Sequence, residues 1–243
     1  MSAAGTRGTS KQLEAFERFV ETAHPVMCCS VGEVQRLAGS DSELGRTFYM
    51  RGSTNLEKGS HVLRGPAWDA IRPAAETAFF GDDVKRLIHF AALSPDDQGL
   101  SSYGECSVTL RTNLTNYRTS LLENNMLVFF KEKCEDYWRT ERIPRGYRAA
   151  WEDRARLAVA KLGERLKPDH KDAEFAAILL TRGPSTADDE FIELHVLGSI
   201  TVRTIEKIVL NRRPPKTKSS VLRALNYKLD RYNVAWLDRS SMP

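Results

Sequence analysis

The sequence predicts an α+β fold, and three observations carry that expectation. Helix-period patterns gather before residue 94 and again between 132 and 166, while strand-like segments come in clusters, so the elements do not alternate as they do in a doubly wound sheet. No glycine-rich phosphate loop of either common type is present. No internal repeat or low-complexity tract breaks the chain into smaller units.

Each element has a local reason. Residues 1–10 are small and polar and read as an unstructured lead. Residues 11–23 set Leu13, Phe16, Phe19 and Val20 at helical spacing, and Pro25 ends that helix. Residues 31–38 suit a second short helix closed by Gly39. Arg46 to Arg51 reads as a strand stopped by Gly52-Ser53-Thr54. Trp68–Phe80 and Asp82–Leu93 read as helices, the second opening on two acids suited to a helix start.

In Tyr103–Arg111 the alternation of Cys106, Val108 and Leu110 has period two, a strand, and Asn113–Arg118 is a turn. Thr119–Leu122 and Met126–Phe130 read as further extended segments. Residues 145–166 carry a long charged helix, bracketed by Pro144 and Pro168. Phe175–Thr181 is an apolar run read as a buried strand, Arg182–Asp189 a loop, and Phe191–Leu197 a strand. Val202–Val209 fits helix or strand, and beyond Pro214-Pro215 a helix spans roughly 218–229. This divides the chain into an N-terminal helical segment, 1–45, and a main domain, 46–243, with a helical insertion near 132–170.

The 243 residues are 41% hydrophobic and 28% charged, an ordinary globular balance that supports a sizeable core. No stretch approaches the roughly 18 consecutive apolar residues of a membrane helix. The first residues lack the apolar core of a signal peptide, so a soluble cytoplasmic protein is expected, with delivery into a target cell by a dedicated secretion machine left open. Cys28, Cys29, Cys106 and Cys134 form no Cys-x-x-Cys pair and read as reduced thiols, and no metal site is expected. The formal charge is +4, but Arg203 to Arg231 holds nine Lys or Arg against Glu206 and Asp230, a net +7 that leaves −3 elsewhere. Such a stretch suits phosphate contact or partner docking.

Three segments hold side chains suited to chemistry. Arg51, at a strand end before Gly52 and Ser53, is placed to grip a phosphate bidentately. Around Tyr103, Gly104 allows close backbone approach or a positive φ, while hydroxyls at Ser101 and Ser102 or at Thr119 and Ser120 suit a ribose or the bracing of a carboxylate. On the third segment, Ile192, Leu194 and Val196 point to the core, which sets Glu193 and His195 together on the opposite face. A carboxylate on a rigid strand suits a general base or the stabilisation of a cationic transition state.

An early-strand Arg, a central Ser or Thr and a late-strand Glu, in that order, resemble the Arg–Ser–Glu group of toxin-type ADP-ribosyltransferases. Phe191-Ile-Glu-Leu-His-Val-Leu-Gly198 looks like the end of such domains, where a polar residue follows the catalytic Glu at two positions and a glycine comes after it. Thr181–Asp189 stands where that family carries its substrate-recognition loop, and Tyr103-Gly104, Leu110 and Arg118-Thr119-Ser120 look like the middle strand and turn of some members. The likeness covers roughly 46–54, 101–126 and 175–210. It departs from the family in two ways: Phe191 stands where arginine-modifying members carry a second Glu or Gln, and no Ser-Thr-Ser triplet occurs.

The resemblance implies an antiparallel split-sheet core with flanking helices and a cleft for NAD. Glu193 would hydrogen-bond the nicotinamide ribose and stabilise the oxocarbenium-like state. Arg51 would hold phosphate or ribose, His195 would help place the acceptor, and Tyr49 or Tyr103 would stack on nicotinamide. The implied activity is transfer of ADP-ribose to a protein or nucleic-acid acceptor by a bacterial toxin, effector or defence enzyme, with a cognate antitoxin or other partner protein. Two rival readings stand beside it: a non-catalytic nucleic-acid-binding or interaction protein using 203–231, and a metal-dependent nuclease built from Glu193, His195, Asp188 and Asp189.

Overall fold

Among the described residues, eight strands join into one mixed sheet in the order β5-β4-β6-β2-β1-β3-β7-β8. They are β1 (His24–Cys29), β2 (Ile88–Ser94), β3 (Cys106–Leu110), β4 (Thr119–Leu122), β5 (Arg148–Ala150), β6 (Glu193–Leu197), β7 (Ile205–Leu210) and β8 (Ala235–Asp238). Every neighbouring pair is antiparallel except β7 with β8, which is parallel. The longer helices among the described residues are α1 (Ser10–Glu21), α2 (Val31–Leu37), α3 (Pro66–Phe80), α4 (Met126–Lys133), α5 (Arg154–Leu162), α6 (Asp172–Leu179) and α7 (Ser219–Asp230). This computed structural model describes residues 8–47, 49–50, 66–134, 143–183 and 188–240. The α+β class holds; the described strands form one continuous sheet where the resemblance implies a split pair.

Several elements differ from expectation. Residues 24–29, inside the stretch expected to be a helical N-terminal segment, form β1, which pairs with both β2 and β3 in the middle of the sheet. Pro25 argues against a strand there, yet it stands second in β1, opposite Leu93. Asp82–Leu93, expected as a helix, is a short 3-10 turn followed by β2. Both faces of β2 are covered, so Ile88 to Leu93 is almost continuously apolar and its period is hidden.

Met126–Phe130, expected as a strand, lies in α4, and of Phe175–Thr181 all but the last two residues lie in α6, Thr181 forming an isolated antiparallel bridge with Glu190. Their helical nature is set at the N-termini. Asn125 caps α4 by accepting from Leu127 N at 3.0 Å and Val128 N at 3.3 Å. Glu174 folds back to accept from Lys171 N at 2.8 Å at the start of α6. Of the expected strand Arg46–Arg51, residues 46–47 are irregular and Tyr49–Met50 are helical, while Arg51 lies outside the described residues. The expected helix 145–166 begins instead with edge strand β5, leaving α5 flanked by 3-10 turns.

One face of the sheet carries the larger core. Ala91, Leu93, Leu121 and Leu194 pack beneath α1, α5 and α6, with Phe16, Phe175 and Ile192 fully buried. Next to them Cys106, Val108, Ile208 and Leu210 pack beneath α2 and α7. The opposite face is covered by α3 and α4, which bring Ala75, Phe79, Met126 and Phe129 onto Leu122 and Phe90. Each buried Leu or Phe contributes about 1.5–3 kcal/mol. Among the described residues, no helix is long and apolar enough to cross a membrane.

Candidate functional site

Strand register puts Glu193 and His195 on the face covered by α3 and α4. Glu193 stands between Leu122 on β4 and Ala92 on β2, and His195 between Ser120 and Phe90. The period-two reading of this strand is therefore right about which residues share a side. The second layer buries that side as well: Glu193 is 5% exposed and His195 1%.

A buried carboxylate needs partners, and among the described residues Glu193 has three. Met126 N donates to Oε1 at 3.0 Å, Asn125 Nδ2 donates to Oε2 at 3.2 Å, and His195 Nε2 lies 2.9 Å from Oε1. The first two come from the N-terminus of α4, where backbone N–H groups and the helix dipole favour an anion. Asn125 works in both directions, its oxygen capping the helix and its amide nitrogen holding Glu193. A carboxylate offers about four acceptor positions, so one position on Oε2 remains.

His195 stands edge-on between two rings, with centroids at 4.8 Å from Phe80 and 5.4 Å from Phe90. Its Nε2 is turned to Glu193, and its buried Nδ1 has no hydrogen-bond partner among the described residues. Two guanidinium groups flank this aromatic bracket. Arg72 lies 5.1 Å from the Phe90 centroid while donating to the fully buried Glu76 at 2.6 Å. Arg148 lies 5.8 Å from the Phe80 centroid, and burial pushes its pKa down. On the other side, Tyr103 packs edge-on against Phe191 at 6.2 Å. Burial raises the Tyr103 hydroxyl pKa, and the charges of Glu193 and Asp189 raise it further.

The remaining expected residues divide. Ser120 shares the Glu193 face, whereas Thr119 points to the other face with Val196 and donates to Thr115 O at 2.7 Å. Ser101 is exposed, and Ser102 donates to Asp189 at 2.7 Å. The Tyr49 hydroxyl pKa is raised by burial and then by Glu76, the carboxylate on α3 that also accepts from Arg72. Arg51, Gly52 and Ser53 lie outside the described residues. Gly104 serves close approach: a Cβ there would stand 2.6 Å from Cys29 O and 2.7 Å from Cys29 N.

Asp189, a carboxylate of the nuclease reading, also accepts from Gly183 N at 2.9 Å and so ties the two loops together. Among the described residues, no three His, Cys, Asp or Glu side chains converge to hold a metal ion. Sequence reasoning missed Asn125, Arg72 and Arg148. Asn125 alone left a usable signal, as a capping residue directly before an apolar run. No protein-family model matches the chain, and no curated protein matches it.

Proposed function

We propose that the chain is an NAD-dependent ADP-ribosyltransferase, with Glu193 as its catalytic carboxylate. The observation that carries this reading is the placement of Glu193: a carboxylate on an internal strand, held by three donors, with one acceptor position left on Oε2. A ribose hydroxyl would occupy that position. As the C1′–N bond of the nicotinamide ribose breaks, its electron pair leaves with nicotinamide and positive charge develops on the ribose. A carboxylate already fixed by its neighbours stabilises that charge without reorganising. The acceptor nucleophile then bonds to C1′ and loses its proton to water.

Tyr103 packs against Phe191, two residues before the carboxylate, and Arg148 supplies positive charge beside the aromatic bracket, where Arg72 is paired with Glu76. Arg51 is retained in the proposal as a phosphate ligand on the strength of the sequence alone. The finer likeness to the ADP-ribosyltransferase fold, the toxin, effector or defence role and the protein or nucleic-acid acceptor belong to the same proposal.

The test is nicotinamide release from NAD, with and without a cell lysate as acceptor, for wild type and Glu193→Gln. Wild type is expected to release nicotinamide and the variant to be slower by about 10²-fold or more. If wild type neither binds NAD by calorimetry nor releases nicotinamide, the proposal is wrong.

A further inference from the structure

Helix α7 buries Leu222, Leu225 and Leu229 against the sheet and turns a basic face outward. Residues 211–231 hold seven Lys or Arg against Asp230 alone, a net +6. Lys216, Lys218, Arg223, Lys228 and Arg231 are exposed and form no ion pair with any described carboxylate. Arg203 and Lys207, by contrast, are paired with Asp41 and Asp97. The structure therefore divides the basic stretch of the sequence: the part at and just before β7 is ion-paired, and the α7 part holds cations without an ion pair among the described residues.

Aromatic groups stand among these cations. Tyr227, on the outer face of α7, is 73% exposed and leaves its ring open to solvent. Arg223 and Arg231 lie one turn away on either side of it. Beside the helix, Arg213, Ser219, Arg223, Asn226, Trp236 and Asp238 line an open pocket together with Leu222. Arg213 is fixed at its rim by donating to Thr217 O at 2.9 Å and Ser219 Oγ at 2.8 Å. The one acid of the pocket, Asp238, accepts from Ser240 N at 3.0 Å and Ser240 Oγ at 2.6 Å.

We infer that the outer face of α7 and the adjoining Trp236 pocket form a docking surface for single-stranded nucleic acid. Unpaired cations at this density complement a phosphodiester backbone. An exposed Tyr and a half-buried Trp give unpaired bases two stacking faces, and a duplex hides its base faces. The surface lies on the opposite side of the sheet from Glu193, so it stands or falls independently of the NAD chemistry.

The test uses the full chain without NAD and fluorescein-labelled single strands of roughly 12 nucleotides, a length within the site sizes of such grooves. Deoxy and ribo strands are each compared with a duplex of the same sequence and with heparin. Binding of either strand is expected, with Tyr227→Ala weakening it about tenfold through the missing stacking face. Arg223→Ala/Lys228→Ala should lower the slope of log K against log salt by about 0.7 for each phosphate no longer neutralised. These side chains are exposed, so unchanged melting of each variant shows that the fold is intact. Absence of binding at low salt, wild-type affinity in the variants, or equal affinity for duplex or heparin would overturn the inference.

Discussion

Asn125 joins the fold to the candidate site, and replacing it separates the two roles. Asn125→Ala removes the cap on Leu127 N and Val128 N, at a cost of about 1 kcal/mol. It also removes the amide 3.2 Å from Glu193 Oε2 and leaves a buried carboxylate short of a donor, at a further cost of about 1–3 kcal/mol. A loss of about 2–4 kcal/mol lowers Tm by roughly 5–15 °C in a chain of this size. Asn125→Ser keeps a good cap and loses only the amide, so the difference between the two variants measures the cap.

Asn125→Asp sharpens the test. Its carboxylate keeps the cap but sets an oxygen where the amide donated, about 3.2 Å from Glu193 Oε2. Two carboxylates at that spacing favour sharing a proton, so one folded-state pKa rises above its unfolded value. The folded state then binds more protons than the unfolded one, and stability falls as pH rises from about 4 through the raised value. Urea unfolding at pH 5 and pH 8 reads this directly. Asn125→Asp should lose stability between the two pH values relative to wild type, and Asn125→Ala should not. An Asn125→Asp protein as stable as wild type at pH 8 would refute the reasoning that Asn125 holds Glu193.

Two further perturbations test the frame. Burial pushes the Glu33 carboxyl pKa up, but hydrogen bonds from Arg36 and Arg46 outweigh it and hold the pKa at about 2, against 4.5 unshifted. This contributes roughly 2–3 kcal/mol that is present above the unfolded value and lost as pH falls toward 2, and Glu33→Gln should remove that acid-limb slope in urea titrations. Gly104→Ala would drive a Cβ into the Cys29 backbone at 2.6–2.8 Å, so a loss of about 3 kcal/mol in thermal melts is expected, and a melt within 1 °C of wild type would contradict the close approach.

The elements legible in the sequence are those whose pattern is one-sided or bounded by local chemistry. In α1, Phe16 and Val20 face the core and charges face out, and α7 repeats this with Leu222, Leu225 and Leu229. The β3 alternation and the pairing of Glu193 with His195 on one face are also local facts of a period-two backbone. Three of the errors fall where apolar runs have no visible period: β2 is covered on both faces, and α4 and α6 are short, apolar and set by a capping side chain.

Local pattern thus sufficed to place Glu193 and His195 side by side, because two residues apart on a strand is a fixed geometry. It could not say that their face is covered, because burial there depends on α3 and α4, which pack across it from residues 66–80 and 126–133. Nor could it show that Asn125 and Met126 supply the donors, since they stand 68 and 67 positions away in the chain. A carboxylate's partners in a folded protein are set by which chain segments meet, and that is decided by the packing of the whole sheet and its two covering layers.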